Sequence, residues 1–170
     1  MHTWLLLHYK MPREPSASRV YVWRKLKRMG AVLLHDAIWI LPSNTRTQEQ
    51  FQWLAAEISE LEGKAMLWKS NLLLNNQQEE ELVQQFLAQV AGDYSLVLAQ
   101  LELEQADRGA GSKLAELASR YHQIKRADYF QSELGKQVQQ ALLTFNDKEE
   151  RVEEVVGHRP AGKKEGEDEL

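Results

Sequence analysis

Seven basic side chains lie within the 23 residues from Tyr9 to Ala31, near the start of the chain. They are Lys10, Arg13, Arg19, Arg24, Lys25, Lys27 and Arg28, and only Glu14 opposes them in that stretch. Guanidinium and ammonium groups at this density attract phosphates and carboxylates. The whole chain carries 21 basic and 25 acidic residues, a net charge of −4, so the cluster is not a by-product of general basicity. The residue types indicate binding of a polyanion.

The apolar spacing places most of these cations on one helix, called the basic helix, which Ser16 or Ser18 can cap and Gly30 can end. At about 100° per residue, Val22, Leu26 and Met29 fall on one side, with Trp23 at its edge. The other side carries Tyr21, Arg24, Lys25, Lys27 and Arg28. Within the helix no acidic residue lies three or four positions from these cations, so we expect them to be unpaired.

Three interpretations of this face compete. A solvated helix face usually mixes charge signs, which this one does not. Nucleic acid would offset the repulsion among the cations through phosphate contacts and counterion release, and we favour it. The alternative is an oligomeric protein-interaction module, in which an acidic partner, including this chain's own segment 79–107, meets the basic face.

The sequence offers little for catalysis. Cysteine is absent, which excludes disulfides and thiol chemistry. The scattered histidines His8, His35, His122 and His158 show no metal-ligand spacing, and no Gly-rich phosphate loop or Gly-x-Ser-x-Gly motif occurs. We predict no enzymatic activity, no cofactor and no metal. The enzymatic alternative is either a metal-dependent nuclease that uses Asp36 or an oxyanion-handling protein.

No apolar run is long enough for a signal peptide or a membrane span, so we expect a soluble cytoplasmic protein with no membrane association.

The element order over residues 3–74 is strand, helix, strand, strand, helix, strand. It predicts an α+β unit, a split βαβ arrangement with an antiparallel four-stranded sheet and two helices on one face. In the second helix, Thr47 and Gln50 match a capping box and Gly63 marks the end. We set the first domain at residues 1–74.

Residues 75–146 are predicted to form a helical hairpin with an extension. Apolar residues three or four apart mark its helices: Val83, Phe86, Val90, Tyr94, Val97 and Leu101; Leu114, Leu117, Tyr121 and Ile124; then Leu134, Val138, Leu142 and Phe145. A turn is predicted at 107–112 and a kink near 128–132. Residues 147–170 are charged and Gly-rich, and we expect a disordered tail.

Residues 3–145 resemble the N-terminal domain of the chromate-resistance regulators of the ChrB family. The resemblance is carried by Pro-Arg-Glu-Pro-Ser at 12–16, by the basic helix up to Gly30-Ala31, by Trp-Ile-Leu-Pro at 39–42, by Gln-Phe-Gln-Trp-Leu-Ala at 50–55 and by Arg-Ala-Asp-Tyr-Phe at 126–130. It implies a ferredoxin-like fold, similar to those of phenylacetate-pathway repressors and of the small subunit of CRISPR adaptation complexes.

The resemblance also implies a DNA-binding transcriptional regulator of chromate efflux, and we expect it to be a homodimer. The residues that would hold DNA are Arg13, Arg19, Arg24, Lys25, Lys27 and Arg28. Chromate sensing belongs to a separate C-terminal domain in that family and is not carried over to this chain; the place where a small oxyanion such as chromate could bind is near Arg13 and Arg19. The CRISPR members carry an acidic metal ligand after the first strand, where this sequence has His8-Tyr9-Lys10, which argues against nuclease activity.

Overall fold

The computed structural model of the chain describes residues 2–35, 38–73, 76–106 and 111–157. The first part is an α+β unit with the elements β1 (Thr3–Lys10), α1 (Ser16–Met29), β2 (Val32–Leu34), β3 (Ile38–Pro42), α2 (Thr45–Glu60) and β4 (Lys64–Asn71). Three helices follow, α3 (Asn76–Ala106), α4 (Gly111–Lys125) and α5 (Glu133–Gly157). The predicted α+β class and element order are confirmed. None of the helices in the described part of the chain is long and apolar enough to cross a bilayer.

The four strands form one antiparallel sheet in the order β2-β3-β1-β4, which is the ferredoxin-like connectivity. The apolar run that begins the chain forms a central strand, because Leu6 pairs with Ile40 on one side and with Trp68 on the other. Because both faces of the sheet are packed along this strand, a continuous apolar run suits it better than alternation does.

Successive residues of β1 serve the two faces of the sheet. Leu5 and Leu7 are fully buried and share a core with the apolar residues of α1 and α2, which are Val22, Leu26, Phe51, Leu54 and Ile58. Trp4 points to the other face, where its ring stacks on Phe86 of α3 with the centroids 5.8 Å apart. The sheet is therefore packed on one face by α1 and α2 and partly covered on the other by α3.

The cap of α2 lies three residues before the predicted one. Asn44 is the N-cap: its Oδ1 accepts a hydrogen bond from the Thr47 N–H at 2.9 Å, and the Asn44 N–H donates to Thr47 Oγ1 at 3.0 Å. The Thr47–Gln50 box is wrong because Thr47, which is fully buried, is the partner in the box and not its start. At the other end the helix stops at Glu60, and the left-handed position is taken by Glu62 with φ 62°. Gly63 then donates its N–H to the Ile58 carbonyl.

The helices α3, α4 and α5 pack on one another around a second core. Most of the predicted stripe residues are buried in the structure; they include Phe86, Val90, Tyr94, Val97, Leu101, Leu117, Tyr121, Ile124, Val138 and Phe145. The predicted hairpin with an extension is thus three packed helices. The turn predicted at 107–112 lies mostly outside the described residues.

A short linker, residues 126–132, separates α4 from α5 where the sequence suggested only a kink. It is held by Asp128, whose carboxylate accepts hydrogen bonds from the Tyr94 hydroxyl at 3.1 Å and from the Ser132 N–H at 2.9 Å. Ser132 Oγ in turn accepts from the Gly135 N–H at 3.0 Å, so it caps α5. From there α5 runs to Gly157, past Asn146, after which the tail was predicted to begin; residues 158–170 lie outside the described part.

Candidate nucleic-acid interface

The helix α1 exposes its cations because its apolar side chains lie in the core. Val22 and Leu26 are fully buried, as predicted, and hold the helix against the sheet unit. Arg24, Lys27 and Arg28 are exposed to solvent. The two arginines are four residues apart, about one helical turn. The exposed face of α1 is therefore a row of positive charge.

Two aromatic side chains flank this row. Tyr21 and Trp23 are 45% and 49% exposed. The predicted placement of Trp23 at the edge of the apolar side fits this half-exposed position. Tyr21 leans toward α2, where its hydroxyl donates to the Glu57 carboxylate at 3.2 Å. The flank of α1 that faces α2 is thus polar and hydrogen-bonded to α2.

One of the predicted cations is paired. Lys25 Nζ lies 2.6 Å from the carboxylate of Glu57 on α2, with both side chains 29% exposed. The hydrogen bond to Glu57, followed by the one to Tyr21, raises the pKa of Lys25 above its ordinary value. The expectation that the helix cations are unpaired is therefore wrong for Lys25. The partner Glu57 lies 32 residues away in the sequence, on a neighbouring helix, so the acid-free spacing of the basic helix does not reveal it.

The start of α1 carries a carboxylate of its own. Pro15 is the N-cap residue and no side chain caps the helix, so the predicted caps Ser16 and Ser18 do not form. Instead the Ser16 N–H donates to Glu14 Oε2 at 3.2 Å. Arg13 and Arg19 are exposed beside this end of the helix.

The end of α1 is fixed by glycine and by the linker between α4 and α5. Gly30 adopts φ 73°, and its N–H reaches the Leu26 and Lys27 carbonyls, as predicted for a helix-ending glycine. A Cβ at Gly30 would lie 2.7 Å from Ala127 Cβ, so the linker packs directly on the turn. The Tyr129 hydroxyl donates to the Met29 carbonyl, and burial raises the pKa of that tyrosine. The three-helix unit therefore sets the position of the last turn of α1.

The other five predicted cations, unlike Lys25, form no ion pair in the described residues. In the described part of the chain, no carboxylate lies within 4.0 Å of a charged nitrogen of Arg13, Arg19, Arg24, Lys27 or Arg28. All five are exposed. They lie on one helix and on the loop that leads into it, and Arg24, Lys27 and Arg28 share the exposed face of that helix.

A further cation near this surface escaped the sequence analysis. Arg120 of α4 lines a groove together with Lys27 and Arg28 of α1. The only signal for it in the sequence is its place beside the buried stripe of α4, between Leu117 and Ile124. That signal does not indicate which element faces it.

The described residues contain no group of three or more His, Asp or Glu side chains that could hold a metal ion. Asp36, the residue assigned to the nuclease alternative, lies outside the described residues.

Comparison with known proteins identifies one family. The family described as "Protein ChrB, N-terminal" matches residues 19–126, more than half of the chain. A curated relative, "Protein ChrB" of Cupriavidus metallidurans, is 31% identical over 77 residues, which are 45% of this chain and 23% of the relative. The match thus spans less than a quarter of that protein's length. No solved structure matches the chain.

Proposed function

The chain belongs to the family of ChrB N-terminal domains, and from this membership we propose that it is the DNA-binding part of a transcriptional regulator of chromate resistance. In this proposal α1 contacts DNA phosphates and the chain catalyses no reaction. The observation that carries the proposal is the set of five exposed cations whose charged nitrogens have no carboxylate within 4.0 Å in the described residues.

The charge pattern is costly unless an anion meets it. Arg24, Lys27 and Arg28 repel one another across one helical turn, and in the described part of the chain no carboxylate lies within 4.0 Å of their charged nitrogens. A duplex provides a row of phosphates, and the release of their counterions favours binding. Contacts of this kind position a protein on DNA without reading its sequence, so we assign α1 an anchoring role.

The test is the affinity for duplex DNA, measured by fluorescence anisotropy over a range of salt concentrations. In the double variant Arg24→Glu/Arg28→Glu, two phosphate contacts are lost. Each contact contributes a factor of about 8 at 0.1 M salt relative to 1 M, so affinity should fall by about 60-fold or more. The slope of log K against log salt should fall in magnitude by about 1.8.

The matched control is Lys64→Glu/Lys69→Glu. It makes the same change in net charge at two exposed lysines of β4. Equal losses in the two double variants would show that net charge alone acts and would contradict the assignment to α1. Unchanged affinity in the α1 variant would do so directly.

We also propose that the chain works as a dimer, which would place two copies of α1 on one DNA duplex. Support comes from the sheet face that bears Trp4 and Leu6. On that face Met66 and Trp68 are 51% and 57% exposed, although both are large and apolar. Light scattering after gel filtration should give a dimer for the native chain and a monomer for Trp68→Glu; a native monomer at micromolar concentration would refute the proposal.

The same measurement separates the alternative, a protein-interaction module without a nucleic-acid ligand. Self-association of the pure protein that salt disrupts, and that Arg24→Glu/Arg28→Glu abolishes, would assign α1 to a protein contact. Self-association that responds to Trp68→Glu and not to salt leaves α1 available for DNA.

In the structure, a carboxylate of the chain already lies at the predicted oxyanion site. The Glu14 carboxylate already accepts the first free N–H of α1 beside Arg13 and Arg19. A chromate ion would have to displace it against charge repulsion. We therefore base no step of the proposed function on chromate binding to these residues.

A further inference from the structure

A groove of about 560 Å³ lies where the last turn of α1 meets α3 and α4. Its polar lining comes from three separate segments: Lys27 and Arg28 from α1, Gln89 and Asp93 from α3, and Arg120 and Gln123 from α4. The rest of the lining is apolar or glycine. The groove adjoins the exposed basic row of α1 and continues it toward the three-helix unit.

The polar lining carries an excess of positive charge. Three cations face one carboxylate, that of Asp93. In the described residues, none of the three cations lies within 4.0 Å of a carboxylate oxygen. The amides of Gln89 and Gln123 add neutral hydrogen-bond donors to the same lining.

A structural role accounts for only part of this arrangement. Lys27 and Arg28 lie in the last turn of α1, where cations favour the negative end of the helix dipole. Arg120 has no such reason, because it lies in the interior of α4, more than a turn before its end at Lys125. It is half-buried beside the packed residues Leu117 and Ile124, and no ion pair in the described residues holds it.

We propose that this groove binds a phosphate of the DNA backbone, so that the DNA footprint runs from α1 across the groove onto Arg120 of α4. The proposal rests on the proposed DNA binding of α1 and extends it to the three-helix unit. Guanidinium and ammonium groups from two elements, with amide donors in the same lining, are the groups that proteins use to hold backbone phosphates.

Two single variants with opposite expected effects test the groove. Arg120→Ala removes one phosphate contact, so affinity for duplex DNA should fall by about eightfold at 0.1 M salt and the salt slope should fall in magnitude by about 0.9. Asp93→Asn removes the carboxylate that repels the phosphate, and affinity should rise. If Asp93 had only a structural role, its replacement by Asn would not raise the affinity for DNA.

Each variant has a control on its own helix. Lys125→Ala removes a cation from α4 at an exposed residue that does not line the groove. Glu102→Gln removes an acid from α3 nine residues beyond Asp93, which places it about half a turn away around the helix. Both controls should bind DNA within twofold of the native chain, and circular dichroism should show the native helix content in all four variants.

The outcomes are distinct. If the native chain binds no duplex DNA at all, both the proposed function and the groove proposal fail. If it binds DNA and loses binding in Arg24→Glu/Arg28→Glu, yet Arg120→Ala and Asp93→Asn match their controls, the groove proposal alone is overturned. If Arg120→Ala misfolds, the gain expected from Asp93→Asn decides, and its absence counts against the groove.

Discussion

Replacement of Glu57 by Gln should increase the affinity of the chain for DNA. The carboxylate of Glu57 lies 2.6 Å from Lys25 Nζ and withdraws that lysine from the basic face. Glutamine keeps an oxygen that can accept the hydrogen bond from the Tyr21 hydroxyl, so the packing between α1 and α2 should persist. The change frees one cation and removes one negative charge that repels phosphate.

The magnitudes follow from the exposure of the pair. Both side chains are 29% exposed, so solvent screens the interaction and its loss should cost less than about 1 kcal/mol of stability. One freed cation that reaches a phosphate adds about 0.9 to the magnitude of the salt slope, and about eightfold in affinity at 0.1 M salt. The free energy gained in DNA binding should thus exceed the free energy lost from folding stability, and the gain in affinity should be easy to measure.

The assay is duplex-DNA anisotropy at four or more salt concentrations, with urea unfolding in parallel. Glu49→Gln is the control, since it removes one exposed acid from the same helix, two turns away. Identical salt slopes in Glu57→Gln, Glu49→Gln and the native chain would refute the reasoning, because Lys25 would then point away from the DNA even when released.

Two further predictions concern stability. Gly30→Ala should destabilise the chain by about 2 kcal/mol or more in urea unfolding, since φ 73° is unfavourable for alanine by about 1–2 kcal/mol and the new Cβ would lie 2.7 Å from Ala127 Cβ. Its control, Gly92→Ala, places a Cβ in open space within α3 and should stabilise by about 0.5–1 kcal/mol; the same sign in both variants would contradict this account. Tyr94→Phe loses the hydrogen bond to Asp128 and should cost about 1 kcal/mol at neutral pH. Burial, and then the charge of Asp128, raises the pKa of Tyr94, so above about pH 10 the unfolded state ionises first and native stability falls as pH rises. The difference between the native chain and Tyr94→Phe should therefore shrink between pH 9 and 11, and a constant difference would show that Tyr94 titrates normally.

The sequence was sufficient wherever a local pattern decides the structure. The apolar run of β1, the stripe of α3 and the helix-ending glycine of α1 each specify an element through near neighbours, and each was predicted. The N-terminal caps were harder, because several hydrogen-bonding residues compete for one position. Asn44 and Thr47 could each begin α2, and only the burial of Thr47 against the Pro42 carbonyl decides between them.

The candidate site shows the same division. The exposed row of Arg24, Lys27 and Arg28 follows from helix periodicity alone. The pair of Lys25 and Glu57 spans 32 residues of sequence and exists only because α1 and α2 pack side by side. Arg120 lies farther still from α1 along the chain. It joins the groove only because the linker between α4 and α5 packs on the last turn of α1.

That docking gives the three-helix unit a part in the proposed interface. Tyr129 and Ala127 contact the last turn of α1 directly, through a hydrogen bond to the Met29 carbonyl and close packing on Gly30. Arg46 at the start of α2 donates to the Arg126 carbonyl at 2.6 Å and lies over the Tyr129 ring, so the same linker is also tied to the sheet unit. Since these contacts fix Arg28 and Arg120 relative to each other, a phosphate in the groove would meet a preorganised set of donors, which lowers the entropic cost of binding. In the proposed complex, displacement of the linker would separate the two arginines and weaken the contact with DNA without any change in charge.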